Sequence, residues 1–349
     1  MNRSLVFACM DADTLGGIQQ VTHTLAQGLA GRGYDVHVIG LHRAADPFRY
    51  VSRPLYRQHV INRSSRPSRF ERRRLDRVLG QIGPGFAVLT SPGVVSRLSG
   101  RLPARMRLIG QYHGSYAHAR ICSHLGAIRR HYGELDQAVF LSEDDAWLFS
   151  EHALLPNTWS LPNPLTIWPG SLSSLEAPRV LGVGRLAGVK RFDRLISAFA
   201  MASAPPWELH LIGDGPEEER LRAHARREGV EDRVVFRGRL PASGMSREYL
   251  AASIVALSSE HEGLPLVMLE SAAHGVPSVA FDVSGGVRST GGLLAPPGDV
   301  AAFADRLGTL MRSYDERRHL GAAARARAET FGLERVLDRW EQLFAHMTR

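Results

Sequence analysis

One local pattern recurs along this chain and restricts what it can fold into. A short apolar run is followed by a turn containing glycine, then by a segment whose apolar residues return every third or fourth position. It first occurs at residues 5–10 (LVFACM), with Gly16-Gly17 and a helical stretch over 18–31 carrying Ile18, Val21, Leu25 and Leu29. Residues 34–41 (YDVHVIGL) supply the next strand and complete a β-α-β unit. The pattern restarts at Arg179. Residues 180–183 lead to Gly184-Arg185 and a helix over 192–201, 208–212 lead to GDGPEEE, and 234–236 lead to Gly238-Arg239-Leu240. Linker-like residues 171–178 separate the two series. Strands separated by helices pair in parallel, so two consecutive α/β domains are expected.

Further strands are expected at 86–90, 106–112 and 139–142 in the first half, with helices over 70–79 and from 144. Residues 42–70 read as irregular and Arg-rich. In the second half, 291–295 reads as a strand and a helix starts at 300. Residues 314–347 form a helical region long enough to reach back to the first domain.

The densest chemistry lies in 258–275 (SSEHEGLPLVMLESAAHG), between apolar strands at 253–257 and 276–281. Pro265 opens a helix there and Gly275 stops it. Glu262 precedes the helix and Glu270 lies eight residues later, inside it. A strand, a glycine turn and a helix start make an anion site, because the first-turn N–H groups lack partners. A carboxylate at that position also serves as a cap, so both readings of Glu262 stay open. Arg185 and Lys190 flank another helix start. Two cations there oppose the helix dipole, and a bound diphosphate would give them a reason. Arg191 is a weaker candidate. Lys190 is the chain's single lysine among 43 basic residues, and Lys offers a compact point charge where Arg offers a fork.

Rival chemistries have thinner support. Gly182-Val-Gly184-Arg-Leu-Ala187, with Glu208 downstream, fits the dinucleotide fingerprint of a nicotinamide-dependent oxidoreductase. Asp11-Ala-Asp13 is a short acidic pair that arises by chance, and no metal role is expected for it. The fifteen histidines show no paired ligand spacing, and Cys9 and Cys122 lie far apart, so no zinc site is expected. No G-x-S-x-G elbow is present. His113 follows a strand directly and reads either as a packed histidine or as a hydrogen-bonding site residue. Two free cysteines suit a cytoplasmic location, and no run of eighteen apolar residues exists to cross a membrane.

Charge is unevenly spread. Residues 1–170 carry 20 Arg against 12 acidic residues, whereas 171–349 carry 23 of each sign. Arg63, Arg66, Arg69, Arg72, Arg73, Arg74 and Arg77 concentrate the excess. Such a run is either a solvated face or a surface for anionic lipid or a phosphate-bearing acceptor. Few aromatics interleave with it, so nucleic acid is not an expected partner.

Taken in order, LGGIQQVTHTLAQGLAGRGYDVHVIG (15–40), LPNPL (161–165), VGRLAGVKRFDRLISAFA (183–200), LHLIGDGPEEERL (209–221), VVFRGRLP (234–241), EGLPLVMLE (262–270) and HGVPSVAFDVSGG (274–286) resemble glycosyltransferase family four across nearly the whole chain. EGLPLVMLE resembles that family's E-x7-E motif. The resemblance implies a GT-B fold, two Rossmann-like doubly wound domains facing a central cleft: residues 1–165 for the acceptor, 166–325 for the nucleotide sugar, and 326–349 as a helix crossing back. It implies a retaining hexosyltransferase that takes a UDP-sugar first and a GDP-sugar second, as substrate, with no cofactor or metal. Arg185 and Lys190 would hold the diphosphate, Glu262 the transferred sugar and Glu270 the ribose. Gly17 would admit the diphosphate to its backbone, His113 would touch the sugar, and Arg239 and Leu240 would hold the base. Leu266 opens the helix whose amides face the phosphate. The acceptor is expected in envelope polysaccharide or glycoconjugate assembly, anionic or lipid-linked, with the basic half touching the cytoplasmic membrane face. A GT-B epimerase or phosphorylase is the alternative on the same fold. Two departures stand out. Many members have Glu-Gly-Phe-Gly where this chain has Glu262-Gly263-Leu264-Pro265, and the segment VRSTGG after Gly286 is short.

Overall fold

The structure, a computed structural model, describes residues 4–62, 70–202 and 205–348. It divides into two units, residues 1–166 with 333–349, and residues 167–332.

The first unit contains β1 (Ser4–Asp11), α1 (Gly17–Gly31), β2 (Asp35–His42), β3 (Arg57–Asn62), α2 (Glu71–Gly80), β4 (Gly85–Leu89), α3 (Pro92–Leu98), β5 (Met106–Gln111), α4 (Tyr116–Ile121), α5 (His124–His131), β6 (Gln137–Phe140), α6 (Glu143–Ala153) and β7 (Thr158–Ser160). Its seven strands run in the order β3-β2-β1-β4-β5-β6-β7, all parallel. Leu5, Val6, Phe7 and Ala8 of β1 are fully buried. A central parallel strand is covered on both faces, which is why its apolar run is continuous rather than alternating.

The second unit contains β8 (Arg179–Val183), α7 (Phe192–Ala202), β9 (Glu208–Ile212), α8 (Glu218–Arg227), β10 (Val234–Gly238), α9 (Ala242–Leu250), β11 (Ile254–Leu257), α10 (Leu266–Ala273), β12 (Ser278–Phe281), α11 (Gly285–Thr290), β13 (Leu293–Ala295), α12 (Val300–Arg312) and α13 (Tyr314–Ala328). Its six parallel strands run β10-β9-β8-β11-β12-β13. In both sheets the order reverses beside the unit's first strand. Ligands of such sheets bind outside the strand carboxyl ends at that reversal. α1 follows β1 there, and the loops after β8 and β11 flank it in the second sheet.

The last helix, α14 (Leu333–Met347), belongs to the first unit. Val336, Leu337, Trp340, Leu343, Phe344 and Met347 recur at helical spacing and are buried. Trp340 packs edge-on to Phe7 at 6.2 Å, and Phe344 stacks on Phe86 at 4.5 Å. Gly28 lets α1 and α14 approach, since a Cβ there would lie 2.6 Å from Leu337 Cδ1. Arg32 bonds Glu334, Asp338 and Glu341 of α14 at 2.6–2.7 Å.

Two expectations need correction. Residues 57–62 are not irregular: they form β3, an edge strand whose exposed polar residues hide it from a search for apolar runs. The helical region 314–347 is two helices, broken by a 3-10 turn at Glu329–Phe331 and by Gly332, so a boundary at 325/326 falls inside α13. In the short VRSTGG segment, Ser284 caps α11 and the turn Gly291-Gly292 follows, at φ of 84° and 103°. Of the arginine run, Arg63, Arg66 and Arg69 lie outside the described residues, while Arg72, Arg73, Arg74 and Arg77 are exposed on α2.

Candidate functional site

The expected site residues fall into two sets, one in each unit. In the second unit, the loops after β8, β9 and β10 are joined by backbone bonds. Gly184 N–H donates to Ile212 O at 2.9 Å, Leu186 N–H to Asp214 O at 2.8 Å, and Gly213 N–H to Gly238 O at 2.9 Å. Gly213 has a φ of 144° and lies so close to the Gly184 carbonyl that no side chain fits. After Gly184 the chain makes a 3-10 turn, Gly188–Lys190, and Arg191 adopts a left-handed φ of 47° before α7 begins. Lys190 folds back over Gly184, where a Cβ would stand 3.1 Å from its Cε.

The loop after β11 is tied to this turn. Ser258 Oγ donates to Lys190 O at 2.8 Å and Glu260 N–H to Val189 O at 2.9 Å. Between them the side chains meet: Lys190 Nζ donates to Glu262 Oε1 at 2.7 Å, with only 24% and 13% of the two side chains exposed. Residues 72 positions apart meet because β8 and β11 are neighbours at the reversal of strand order. Arg185 is exposed on the same turn, with no ion-pair partner among the described residues. Arg191 is engaged by Asp193 at 3.0 Å and lies 3.7 Å from Glu260, so it is a brace rather than a free cation.

Beyond Glu262, Ser284 Oγ donates to Gly263 O at 3.0 Å, and Gly286 abuts the Gly263 backbone too closely for any side chain. The chain then enters α10 with Pro265 at the N-cap position and no side-chain cap. Pro265 has no N–H, and Met268 N–H turns back to Pro265 O at 3.1 Å. The amides of Leu266 and Val267 are left as first-turn donors without an intrahelical acceptor. Glu262 therefore is not the helix's cap; it serves Lys190.

Glu270 is one turn inside α10. Tyr249 Oη, from α9, donates to Glu270 Oε2 at 2.7 Å. Burial raises the Glu270 carboxyl above the usual carboxylate range, and the tyrosine bond opposes the rise. His274, one turn on, bonds Glu270 O and Ser246 Oγ, and burial lowers its pKa. Sequence reasoning missed α9 and Tyr249 altogether. The only local signal was the R-E-Y-L end of a helix with few apolar residues. Arg239 is exposed just past β10, whereas the Leu240 side chain packs beside Tyr249 in a small core cluster.

In the first unit, Gly17 is the first residue of α1, behind an extended Gly16 and with no side-chain cap. A Cβ on Gly17 would meet nothing within 4 Å. Tyr50 Oη accepts from Gly16 N–H at 2.7 Å and lies 2.8 Å from Thr14 O. His23 stacks on Tyr50 and bonds Ala12 O and Tyr56 Oη, each at 2.6 Å. Asp11 and Asp13 are consumed within this loop, accepting from Thr14 and Gln19 and from Ala44 respectively. His113 follows β5 and interacts with Asn163 of the LPNPL segment; burial pushes its pKa down to about 4, so it is neutral near pH 7. Its Nε2 is shielded from solvent and has no hydrogen-bond partner among the described residues.

The nicotinamide reading loses Glu208 as its acidic contact. That fingerprint needs an acidic residue at the carboxyl end of the second strand, near the glycine turn. Glu208 pairs with Arg179 at the opposite end of β8 and β9, where it bonds His210 at 2.9 Å.

Comparison with known proteins agrees with this division of the chain. Residues 15–164 match the family model described as Glycosyltransferase Family 4, and residues 169–327 match Glycosyl transferases group 1. The chain is 25% identical to the amylovoran biosynthesis glycosyltransferase AmsD of Erwinia amylovora, over 94% of this chain and 95% of that protein. It is 28% identical to the exopolysaccharide phosphotransferase SCO2592 of Streptomyces coelicolor over 98% of this chain, but spans only 41% of that protein. HepE from Anabaena, solved with UDP and glucose, superposes with a TM-score of 0.78 at 18% identity, covering 99% of this chain and 100% of that one. The paired parallel sheets have the GT-B fold, and with these matches they define a glycosyltransferase. Within that class the chain is a hexosyltransferase-type enzyme like those of family four.

Proposed function

We propose that the chain transfers a hexose from a nucleoside diphosphate sugar with retention of configuration, UDP-sugar being the first candidate donor and GDP-sugar the second. The observation that carries this reading is the Lys190–Glu262 pair beside the uncapped start of α10, with Glu270 one turn further in. A diphosphate at the Leu266 and Val267 amides would be held by Lys190 and by Arg185, which is free to swing. These charges suffice to stabilise a departing diphosphate without a resident metal. Glu262 then exchanges part of its bond to Lys190 for the sugar's hydroxyls, and Glu270 accepts from the ribose, held in place by Tyr249. Arg239 and Leu240 border the base.

Bond breaking gives an oxocarbenium-like centre. The departing diphosphate oxygen takes the acceptor's proton as the acceptor attacks from the same face, which retains the configuration. Gly17 and His113 join this scheme only if the donor also reaches the first unit. A neutral His113 with a vacant Nε2 suits a hydrogen bond to a sugar hydroxyl. HepE's structure with UDP favours the uridine donor, and the amylovoran assignment of AmsD favours a polysaccharide acceptor. The exposed arginines of α2 fit an anionic or lipid-linked acceptor at a membrane face, although no helix among the described residues is long and apolar enough to cross one.

A thermal-shift screen against UDP-, GDP-, ADP- and TDP-sugars tests the donor. Stabilisation by a UDP-sugar, absent in Lys190→Ala, supports the proposal. Stabilisation by NAD(H) with none by any nucleotide sugar refutes it. Conversion of the donor without an acceptor would reassign the site to an epimerase.

A further inference from the structure

We propose that His118, Cys122 and His124 form a zinc site in the first unit, independent of the donor site. Their ligand atoms all lie within 4.8 Å of one another. His118 and Cys122 are four residues apart, one turn, on α4 and its C-terminal cap, so they share a face. His124 is the first residue of α5, two residues on. No His-x-x-x-His or Cys-x-x-Cys spacing announces this set, because it mixes ligand types around a helix break.

The donor set selects the ion. Two imidazoles and one thiolate suit zinc and reject magnesium or calcium, which take oxygen. Tetrahedral zinc, with bonds of about 2.0–2.1 Å to nitrogen and about 2.3 Å to sulfur, separates its ligand atoms by roughly 3.4–3.6 Å. The cluster therefore needs to close by little more than 1 Å. All three residues are half-buried, so solvent can supply the fourth ligand as water.

The surroundings also match. Tyr112 Oη lies 3.1 Å from His124 Nδ1. A metal-bound histidine commonly has its other ring nitrogen held by a hydrogen-bonding partner, a part that Tyr112 Oη can fill for His124. The Cys122 thiol donates only a long bond, 3.8 Å, to Ala119 O. Binding converts Zn²⁺, one thiol and two neutral imidazoles into the complex and one released proton. Tyr112 directly precedes His113, and Gly114 lies against its phenol, where a Cβ would stand 2.5 Å from the oxygen. A bound ion would thus fix the α4–α5 connection against the strand end that carries His113.

The test uses untagged, full-length protein and zinc alone, competed against a chromophoric chelator. One zinc per chain should bind, at least 100-fold more weakly after Cys122→Ser or His124→Ala, and at least tenfold more weakly at pH 6 than at pH 8. Cobalt-loaded protein should show tetrahedral d–d bands and a thiolate charge-transfer band. If the variants do not fold, the cobalt spectrum of the parent decides. Zinc binding unchanged in both variants, or a cobalt spectrum without the thiolate band, overturns the site.

Discussion

The two glycine turns at the sheet reversals are built on opposite plans. In the second unit the turn after β8 is crowded with charge, and the charges are matched internally: Lys190 against Glu262, Arg191 against Asp193. In the first unit the turn after β1 carries no charge at the helix start. Its backbone is held by Tyr50 and His23, and the space beside Gly17 is open. One turn is therefore a cluster of paired charges with Arg185 left over. The other is an uncharged backbone turn left open by the absence of a side chain. The first kind shows in residue type. The second shows only in what a Cβ would or would not meet.

Breaking the charged turn should have the largest effect. Glu262→Ala should lower transfer by about 10³-fold. It should also cost about 1–2 kcal/mol of stability, because a half-buried ammonium loses its counter-charge; denaturant midpoints measure this. Glu262→Ala and Lys190→Met combined should be more stable than the sum of the single variants suggests, and strict additivity would mean the pair does not interact.

Gly17→Ala sharpens the contrast. The chain itself tolerates the methyl, so the melting temperature should stay within about 2 °C, while transfer should fall by roughly tenfold or more if a diphosphate approaches that backbone. Unchanged kinetics would remove Gly17 from the site.

Glu270→Gln should separate stability from function. The folded-state pKa lies above the ordinary value, so ionisation favours the unfolded chain as pH rises through it. The variant should melt higher than the parent at pH 7, with a gap that closes below about pH 4. Its nucleotide affinity should nonetheless fall by about tenfold. A smaller effect belongs to His113. Its lowered pKa means the unfolded chain takes up the proton first, so stability should decline as pH falls from about 6.5 towards 4, and the decline should be shallower in His113→Asn.

Much of this was legible in the sequence, for a stated reason. Central parallel strands are continuous apolar runs, so β1, β8, β9 and β11 stand out. β3 and β7 are edge strands with polar residues at Arg57, Gln58, His59, Asn62, Thr158 and Ser160, and they do not. Lys190 and the α10 start could be picked out as candidate anion sites from their position after strands. That Lys190 and Glu262 pair depends on strand order, which no local window contains. Tyr249 was hidden for the same reason: it reaches Glu270 from a helix with little apolar content. His118, Cys122 and His124 meet only because α4 ends and α5 turns at that place.

The most direct test is calorimetric titration of UDP into the parent and into Lys190→Met at pH 7.5. The parent should bind and the variant should lose at least about 100-fold in affinity, with the folded state confirmed by a single cooperative melting transition well above the titration temperature. Equal affinity of the two proteins for UDP, and likewise for GDP, would show that the turn after β8 does not hold a diphosphate.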